Sequence, residues 1–332
     1  MHAQEPGGAL GAQIEGSARH PVRCSECSRE AVVDQPYRGR HVCEGHLVAS
    51  VEERFRRELH RQLPGFKGGT VAVALSGGKD STLALALSRS YFARRPNTQL
   101  LALSVDEGIA GYRSATLDAA SRSARALGVE HRIVHASEEL GTTTDELAGK
   151  LGGTPPCSFC GVWRRKLLNR AARDAGAEVL VLGFNLDDLA QTVLMNLVHG
   201  DIDRLVRMAP HRIRQPGLVP RVAPLAQVPE REVYLVARAK GLAFGHEECP
   251  YAHAALRNRF RELVWQLEEA QPGSRQSLLR THERLVDLYL RSQEVGVPGR
   301  CRRCGEPSAY EVCRPCEYLS LAQELPVAGA RT

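Results

Sequence analysis

No stretch of about 18 apolar residues occurs in this 332-residue chain, so no segment is long enough to cross a bilayer as a helix. The opening MHAQEPGGALGAQIEGS has no basic stretch leading into an apolar core, which is the pattern of a secretory signal. These two absences predict a cytoplasmic protein with no membrane partner. There is no internal repeat, and the polar, one-signed bias of a disordered chain is missing: 43% of residues are hydrophobic and 25% charged. The charge is only mildly positive, +6 with a pI near 8.8, which permits a polyanionic partner without demanding one. At roughly 150 residues per domain the length suggests about two domains.

The sequence is rich in paired cysteines. Of ten, eight fall in CxxC pairs at 24/27, 157/160, 301/304 and 313/316, leaving Cys43 and Cys249. In a reducing compartment such pairs read as metal or redox sites rather than structural disulfides.

The organisation follows from patterning. Residues 1–20 are Gly- and Ala-rich and read as a disordered tail. A Cys/His module at 21–49 comes next. SVEERFRRELHRQL (50–63) reads as a helix capped by Ser50, with Glu53 completing a capping box. From about 70, apolar runs at 70–75, 100–105, 131–136 and 178–184 alternate with helical patterns at 80–94, 114–127 and 187–199. That alternation predicts an α/β domain over 50–250, a parallel sheet with helices on both faces and ligands at the carboxyl ends of the strands. Residues 201–224 form a Pro- and Arg-rich basic loop, and Glu230–Lys240 is helical. Two amphipathic helices, 252–270 and 275–293, fill a helical segment at 251–297. A second Cys module and tail occupy 298–332.

Ser76-Gly77-Gly78-Lys79-Asp80-Ser81 follows the first strand and opens a helix. Two glycines let the backbone turn sharply, and free N–H groups at the helix start make an anion site extended by Lys79 and the serines. GxxxxGK[ST] does not fit, so this is not a Walker A loop. The SGGKDS form resembles the pyrophosphate (PP) loop of the adenine-nucleotide α-hydrolase-like enzymes, which implies ATP cleavage between the α and β phosphates. Arg113 and the acidic pair Asp106-Glu107, just after the second strand, lie where nucleotide contacts belong, or form a solvated strand end.

Cys157 and Cys160 precede a helix starting near Gly161, and a helix N-terminus lowers thiol pKa. With Cys249 they make three thiolates. These suit a [4Fe–4S] cluster with one exchangeable iron, a zinc with an open position, or a metal-free redox pair carrying a persulfide. Three unrelated buried cysteines is the bland alternative. At the ends, Cys24, Cys27, Cys43 and His46 have the spacing of a structural zinc site. His41 competes for the fourth position, but His46 repeats the spacing of the first pair. Cys301, Cys304, Cys313 and Cys316 make a second such group.

The N-terminal knuckle, SGGKDS, VDEGIAGYR (105–113), CSFCGVWRR (157–165), GFNLDDLAQTVLMNLVHGD (183–201), EECPYA (247–252) and the final knuckles occur in one order over about 21–320. In this the chain resembles the tRNA uridine 2-thiolation enzymes of archaea and the eukaryotic cytosol and their T-loop branch. VDEGIAGYR and CGVWRR are closer to the wobble-uridine branch. Three departures stand out: Phe184 where the family often has His, His46 where it often has Cys, and Arg164 where the T-loop branch has Lys.

The resemblance implies adenylation of a uridine C2 oxygen, at position 34 in preference to 54, followed by its replacement with sulfur. Ser76–Ser81, Asp106, Arg113, Gly183 and Asp188 would bind ATP, and Lys79, Cys157, Cys160 and Asp188 would be catalytic. Asp80 with Asp187 or Asp188 would hold Mg²⁺, unless the Asp pair only caps its helix. The implied cofactors are ATP, Mg²⁺, two Zn²⁺ and a [4Fe–4S] cluster on Cys157, Cys160 and Cys249. The tRNA path would run over Arg164, Arg165, Lys166, Arg170 and Arg173 and the basic loop with Arg207 and Arg212. A sulfur donor (a ubiquitin-like carrier protein or inorganic sulfide) and a homodimer are the other implied partners. Two other readings compete. A small-molecule sulfurtransferase would not need the terminal knuckles. A zinc-knuckle RNA-binding protein would not need SGGKDS or the three central cysteines.

Overall fold

The structure, a computed structural model, describes residues 22–208, 210–211, 214–292 and 296–324. The tail expected at 1–20 and the expected tRNA ligand Arg212 lie outside the described residues.

A small hairpin, β1 (Val33–Gln35) and β2 (Arg40–Val42), leads into α1 (Glu44–Gln62). The core domain then runs β3 (Gly69–Ala74), α2 (Lys79–Phe92), β4 (Thr98–Asp106), α3 (Arg113–Ala126), β5 (Glu130–His135), α4 (Ala136–Leu140), α5 (Thr144–Lys150), α6 (Pro156–Asp174), β6 (Ala177–Val181), α7 (Leu186–Val198), α8 (Ile202–Val206), β7 (Arg221–Val222) and α9 (Glu230–Ala239). It ends with α10 (Arg257–Ala270), α11 (Ser274–Ser292), the hairpin β8 (Gly299–Arg300) and β9 (Pro307–Ser308), and α12 (Arg314–Glu324).

The five-stranded sheet has the order β5-β4-β3-β6-β7, parallel throughout. The chain winds outward from β3 to β5, then returns to the other side of β3 with β6. The switch point therefore lies between the carboxyl ends of β3 and β6, where open α/β sheets bind ligands. Burial follows the period of two. Val71, Val73, Val179 and Val181 face one core with α1, α2, α3 and α9, while Ala72, Leu101, Leu103 and Leu180 face another with α6. No helix among the described residues is long and apolar enough to cross a membrane.

Three expectations are corrected. The first helix begins at Glu44, with Cys43 as N-cap, so it crosses the boundary expected at 49/50. Leu47, Val51, Phe55 and Leu59 are all buried, and this 4-residue stripe extends the helix back past Ser50. Ser50 is mid-helix, and its hydroxyl accepts from Arg38 and Arg40. The helix expected near Gly161 begins at Pro156, whose ring suits a first helical position, so both central cysteines lie inside it. The helix expected from 252 begins at Arg257. The basic loop also holds α8 and the fifth strand.

The N-terminal module is tied to the core by one buried ion pair. Arg54 and Glu232 are 2% exposed and bonded to each other, and Tyr37 and Gln35 also donate to Glu232. Removing one partner of such a pair leaves an unpaired buried charge. Glu232→Ala should therefore cost about 3–5 kcal/mol in a denaturation experiment, while Arg54→Met with Glu232→Leu should recover part of that loss.

Candidate active site at the carboxyl edge of the sheet

The loop after β3 is held by its own residues. Ser81 Oγ accepts from Ser76 N (3.1 Å) and donates to Gly78 O (3.0 Å). Only Gly77 needs to be glycine for its backbone: its φ is +93°, and a Cβ there would lie 2.0 Å from Thr116 O. Gly78 is the extended N-cap of α2, so just one of the two glycines makes the turn. Gly183, after β6, crosses so close that a Cβ would lie 2.8 Å from Ser81 N. The two loops thus meet at the switch point, and Asn185 Nδ2 donates to Asp80 Oδ1 at 2.9 Å.

Around this point stand Lys79 and four carboxylates. Lys79 Nζ lies 3.1 Å from Asp80 and 2.7 Å from Glu230. Burial works against its charge, but Asp80 and Glu230 outweigh it and hold Lys79 above the ordinary lysine pKa. Asp187 is engaged elsewhere, accepting from Glu230 N and Arg275. Asp188 forms a capping box with Asn185, the N-cap of α7. Burial, with Asp80 nearby, pushes its carboxyl up to about 6. Asp188 is therefore both a cap and the carboxylate that feels Asp80, a pair suited to share a divalent cation.

Asp106 turns into its own loop, accepting from Gly108 N and lying 3.2 Å from His135. Arg113 is buried. It donates to Val105 O, Ser76 O and Thr116 and pairs with Glu107 at 2.7 Å, so it braces the nucleotide loop from beneath.

On α6, Cys157 is exposed and Cys160 buried. Cys249 and Tyr251 pack in one cluster with Cys160 and Phe159, and Cys157 Sγ lies 3.8 Å from Tyr251 O, so all three thiols share one site. Desolvation and Cys249 raise the Cys157 thiol, and burial raises Cys160. The lowering expected from the helix N-terminus is outweighed. Both are therefore protonated thiols at neutral pH. Arg164 Nη2 reaches Cys160 Sγ at 3.4 Å, and Arg164 also pairs with the buried Glu107.

The described terminal groups meet the test for single metal ions. A tetrahedron of Zn–S bonds near 2.3 Å has S···S edges of about 3.8 Å. Cys27–Cys43 is 3.8 Å and Cys304–Cys313 is 3.7 Å. His46 Nδ1 stands 3.3 Å from Cys24 Sγ and 3.4 Å from Cys43 Sγ, while His41 pairs with Asp34 instead. Each group has its donor atoms within 4.8 Å of one another. Cys157, Cys160 and Cys249 do not form so tight a group.

The expected RNA-contacting cations of α6 are mostly engaged within the fold. Arg170 pairs with Glu139, Arg173 grips Glu306 with two bonds, and Lys166 lies 3.9 Å from Cys316 Sγ. Arg207 closes α8. Arg165 has no carboxylate partner among the described residues.

Residues 51–268 match the PP-loop domain family. The tRNA 2-thiolation protein NcsA of Haloferax volcanii is 38% identical, over 90% of this chain and 98% of that one. The chain belongs to the tRNA 2-thiolation family of PP-loop proteins. The tRNA-5-methyluridine(54) 2-sulfurtransferase of Pyrococcus horikoshii is 31% identical over 92% of this chain and 96% of that one. Among solved structures, the U34-tRNA thiolase NcsA of Methanococcus maripaludis with its [4Fe-4S] cluster superposes with a TM-score of 0.78 at 36% identity, covering 89% of this chain and 95% of that one.

Two residues of the site, Asn185 and Glu230, escaped the sequence reading. Asn185 sits beside the glycine that was singled out, and its capping-box spacing to Asp188 was a usable signal. Glu107 was visible only as half of an acidic pair. Glu230 had no local signal, since it reaches Lys79 across the sheet.

A carboxyl whose folded pKa is raised loses stabilising free energy as pH climbs through the folded value. The ligand-free protein should therefore become less stable between about pH 4 and pH 7 through Asp188. Asp188→Asn should remove that term, by about 1–3 kcal/mol at neutral pH, and flatten the thermal-stability profile across this window.

Proposed function

We propose that this protein is an ATP-dependent tRNA 2-thiolase that adenylates the C2 oxygen of wobble uridine 34 and replaces it with sulfur. The carrying observation is that a nucleotide loop and three cysteines outside the zinc-type groups converge at one end of the sheet, joined through Glu107. The uridine C2 oxygen attacks the α phosphorus of ATP, and pyrophosphate leaves. A sulfur nucleophile then adds at C2, and AMP departs with the original oxygen.

Lys79 and the N–H groups of residues 76–81 offset charge on the departing pyrophosphate. Asp80 and Asp188 would hold Mg²⁺ against the phosphates. Cys157, Cys160 and Cys249 would hold a [4Fe–4S] cluster, which when bound supplies an open iron position for sulfur. The terminal groups would each hold one structural zinc. Position 34 is favoured over 54 by VDEGIAGYR and CGVWRR, and by the higher identity to the U34 thiolase than to the uridine-54 enzyme. The sulfur donor is a ubiquitin-like carrier protein or inorganic sulfide.

Two measurements test this. Lys79→Ala should abolish 2-thiouridine formation in nucleoside analysis of tRNA while leaving the fold intact by circular dichroism. Undiminished thiolation would remove the loop from the mechanism. Protein purified without oxygen should carry about four irons per chain and absorb in the visible, and Cys249→Ala should lose both iron and thiolation. Full activity of iron-free Cys249→Ala protein would instead overturn the cluster and leave a persulfide on Cys157 or Cys160, loaded by exchange from a donor that already carries persulfide sulfur.

A further inference from the structure

Near the N-terminal half of α6, two guanidiniums lie close enough to repel each other, and neither has a carboxylate partner among the described residues. Arg165 is exposed on α6, and its Nη1 lies 3.6 Å from where a Cβ on Gly161 would stand, so it folds back along the turn that follows Cys160. One turn further on the same face, Asn169 clamps the segment leading into β7: its Nδ2 donates to Gly217 O at 3.0 Å and its Oδ1 accepts from Val219 N at 2.9 Å. That clamp fixes Arg221, two residues later on the sheet edge. Arg221 Nε donates to His211 Nε2 at 3.0 Å, and His211 N donates back to Arg221 O at 2.9 Å. Among the described residues, neither Arg165 nor Arg221 has an acidic partner. Arg204, also nearby, is paired with Asp201 at 2.9 Å.

We propose that Arg165 and Arg221, the latter oriented by His211, form a seat for one phosphodiester of the RNA backbone beside the target uridine. The inference rests on the thiolase reading and adds to it where the RNA strand is gripped. Burial and the Arg165 charge bring Arg221 down to about 10, and burial with Arg221 brings His211 down to about 3. At neutral pH both arginines are charged and the imidazole is a neutral acceptor. Like charges brought together and partly desolvated destabilise the empty fold, and a bound anion relieves this. Guanidinium forks match phosphate oxygens geometrically, and Arg221 keeps its Nη groups for that task because His211 takes Nε. The seat shares no residue with the 76–81 loop, where Lys79 already faces the nucleotide site. Its place beside Gly161 puts the bound phosphate next to the cysteine turn.

The test is binding of the full-length protein to unmodified tRNA across a salt series, with ATP binding measured alongside. Arg165→Met, at an exposed position, and Arg221→Met should each weaken tRNA binding about tenfold. Each should also lower the slope of log K against log salt by about one phosphate contact, with ATP affinity unchanged. Arg165→Lys should retain the slope. Because both groups hold one phosphate, the double variant should lose little more than either single variant. Unchanged tRNA affinity and slope in both Met variants, with normal binding by the parent protein, would overturn the seat alone. A loss of ATP affinity with tRNA binding intact would assign the seat to the nucleotide and overturn it as an RNA contact. A parent protein that neither binds nor thiolates tRNA would overturn the thiolase reading and the seat together.

Discussion

Glu107 is a buried carboxylate between two arginines, and the site depends on it. It is 2% exposed, lies 2.7 Å from Arg113 and also pairs with Arg164. A buried carboxylate is strongly unfavourable unless compensated, and here two guanidiniums compensate it. Each guanidinium then continues to one half of the site. Arg113 bonds Ser76 O and Val105 O, fixing the start of the nucleotide loop to the end of β4. Arg164 bonds Cys160 Sγ, fixing the cysteine turn. The Glu107 backbone carbonyl also accepts from Thr144 N at 2.8 Å, anchoring α5. Neither the loop nor the cysteine turn can shift without disturbing the ion pair that holds the other.

The terminal modules brace the same elements from outside. The C-terminal Cys group docks on α6: Trp163 Nε1 donates to Pro315 O at 3.5 Å, Phe159 meets Tyr318 edge-on, and Arg173 holds Glu306. α6 carries Cys157 and Cys160, so the C-terminal Cys group packs directly on the helix on which they sit. The N-terminal module grips Glu232 on α9 through Arg54, Tyr37 and Gln35. Glu230, one turn-half earlier on α9, holds Lys79. Folding of each terminal group thus reaches one half of the site through a single helix.

The parts written locally in the sequence were legible. Alternating apolar runs marked four of the five sheet strands, and CxxC spacing marked both terminal groups. SGGKDS marked the loop because its chemistry lies in six consecutive residues. The fifth strand was hidden, since Arg221–Val222 is two residues long and set among prolines and arginines. Capping signals misled at Ser50 because a helix starts where its buried stripe starts, and Leu47 continues that stripe beyond the local motif. The cations of α6 read as one RNA-facing row. Spacing along a helix does not reveal that Glu107, Glu139 and Glu306 arrive from other elements to neutralise three of them.

That last difference changes how the positive charge of this chain is understood. Most of the arginines near the site are structural counter-ions, which is why a mild net charge of +6 is compatible with so many of them in one region. Charge available to a polyanion is what remains after internal pairing, and on α6 what remains is Arg165 and Lys166, the latter beside the C-terminal cysteines. A specific grip on RNA then depends on a few unpaired guanidiniums held rigidly beside the reacting end of the sheet. A broad basic surface would bind any polyanion but could not place one uridine against the nucleotide loop.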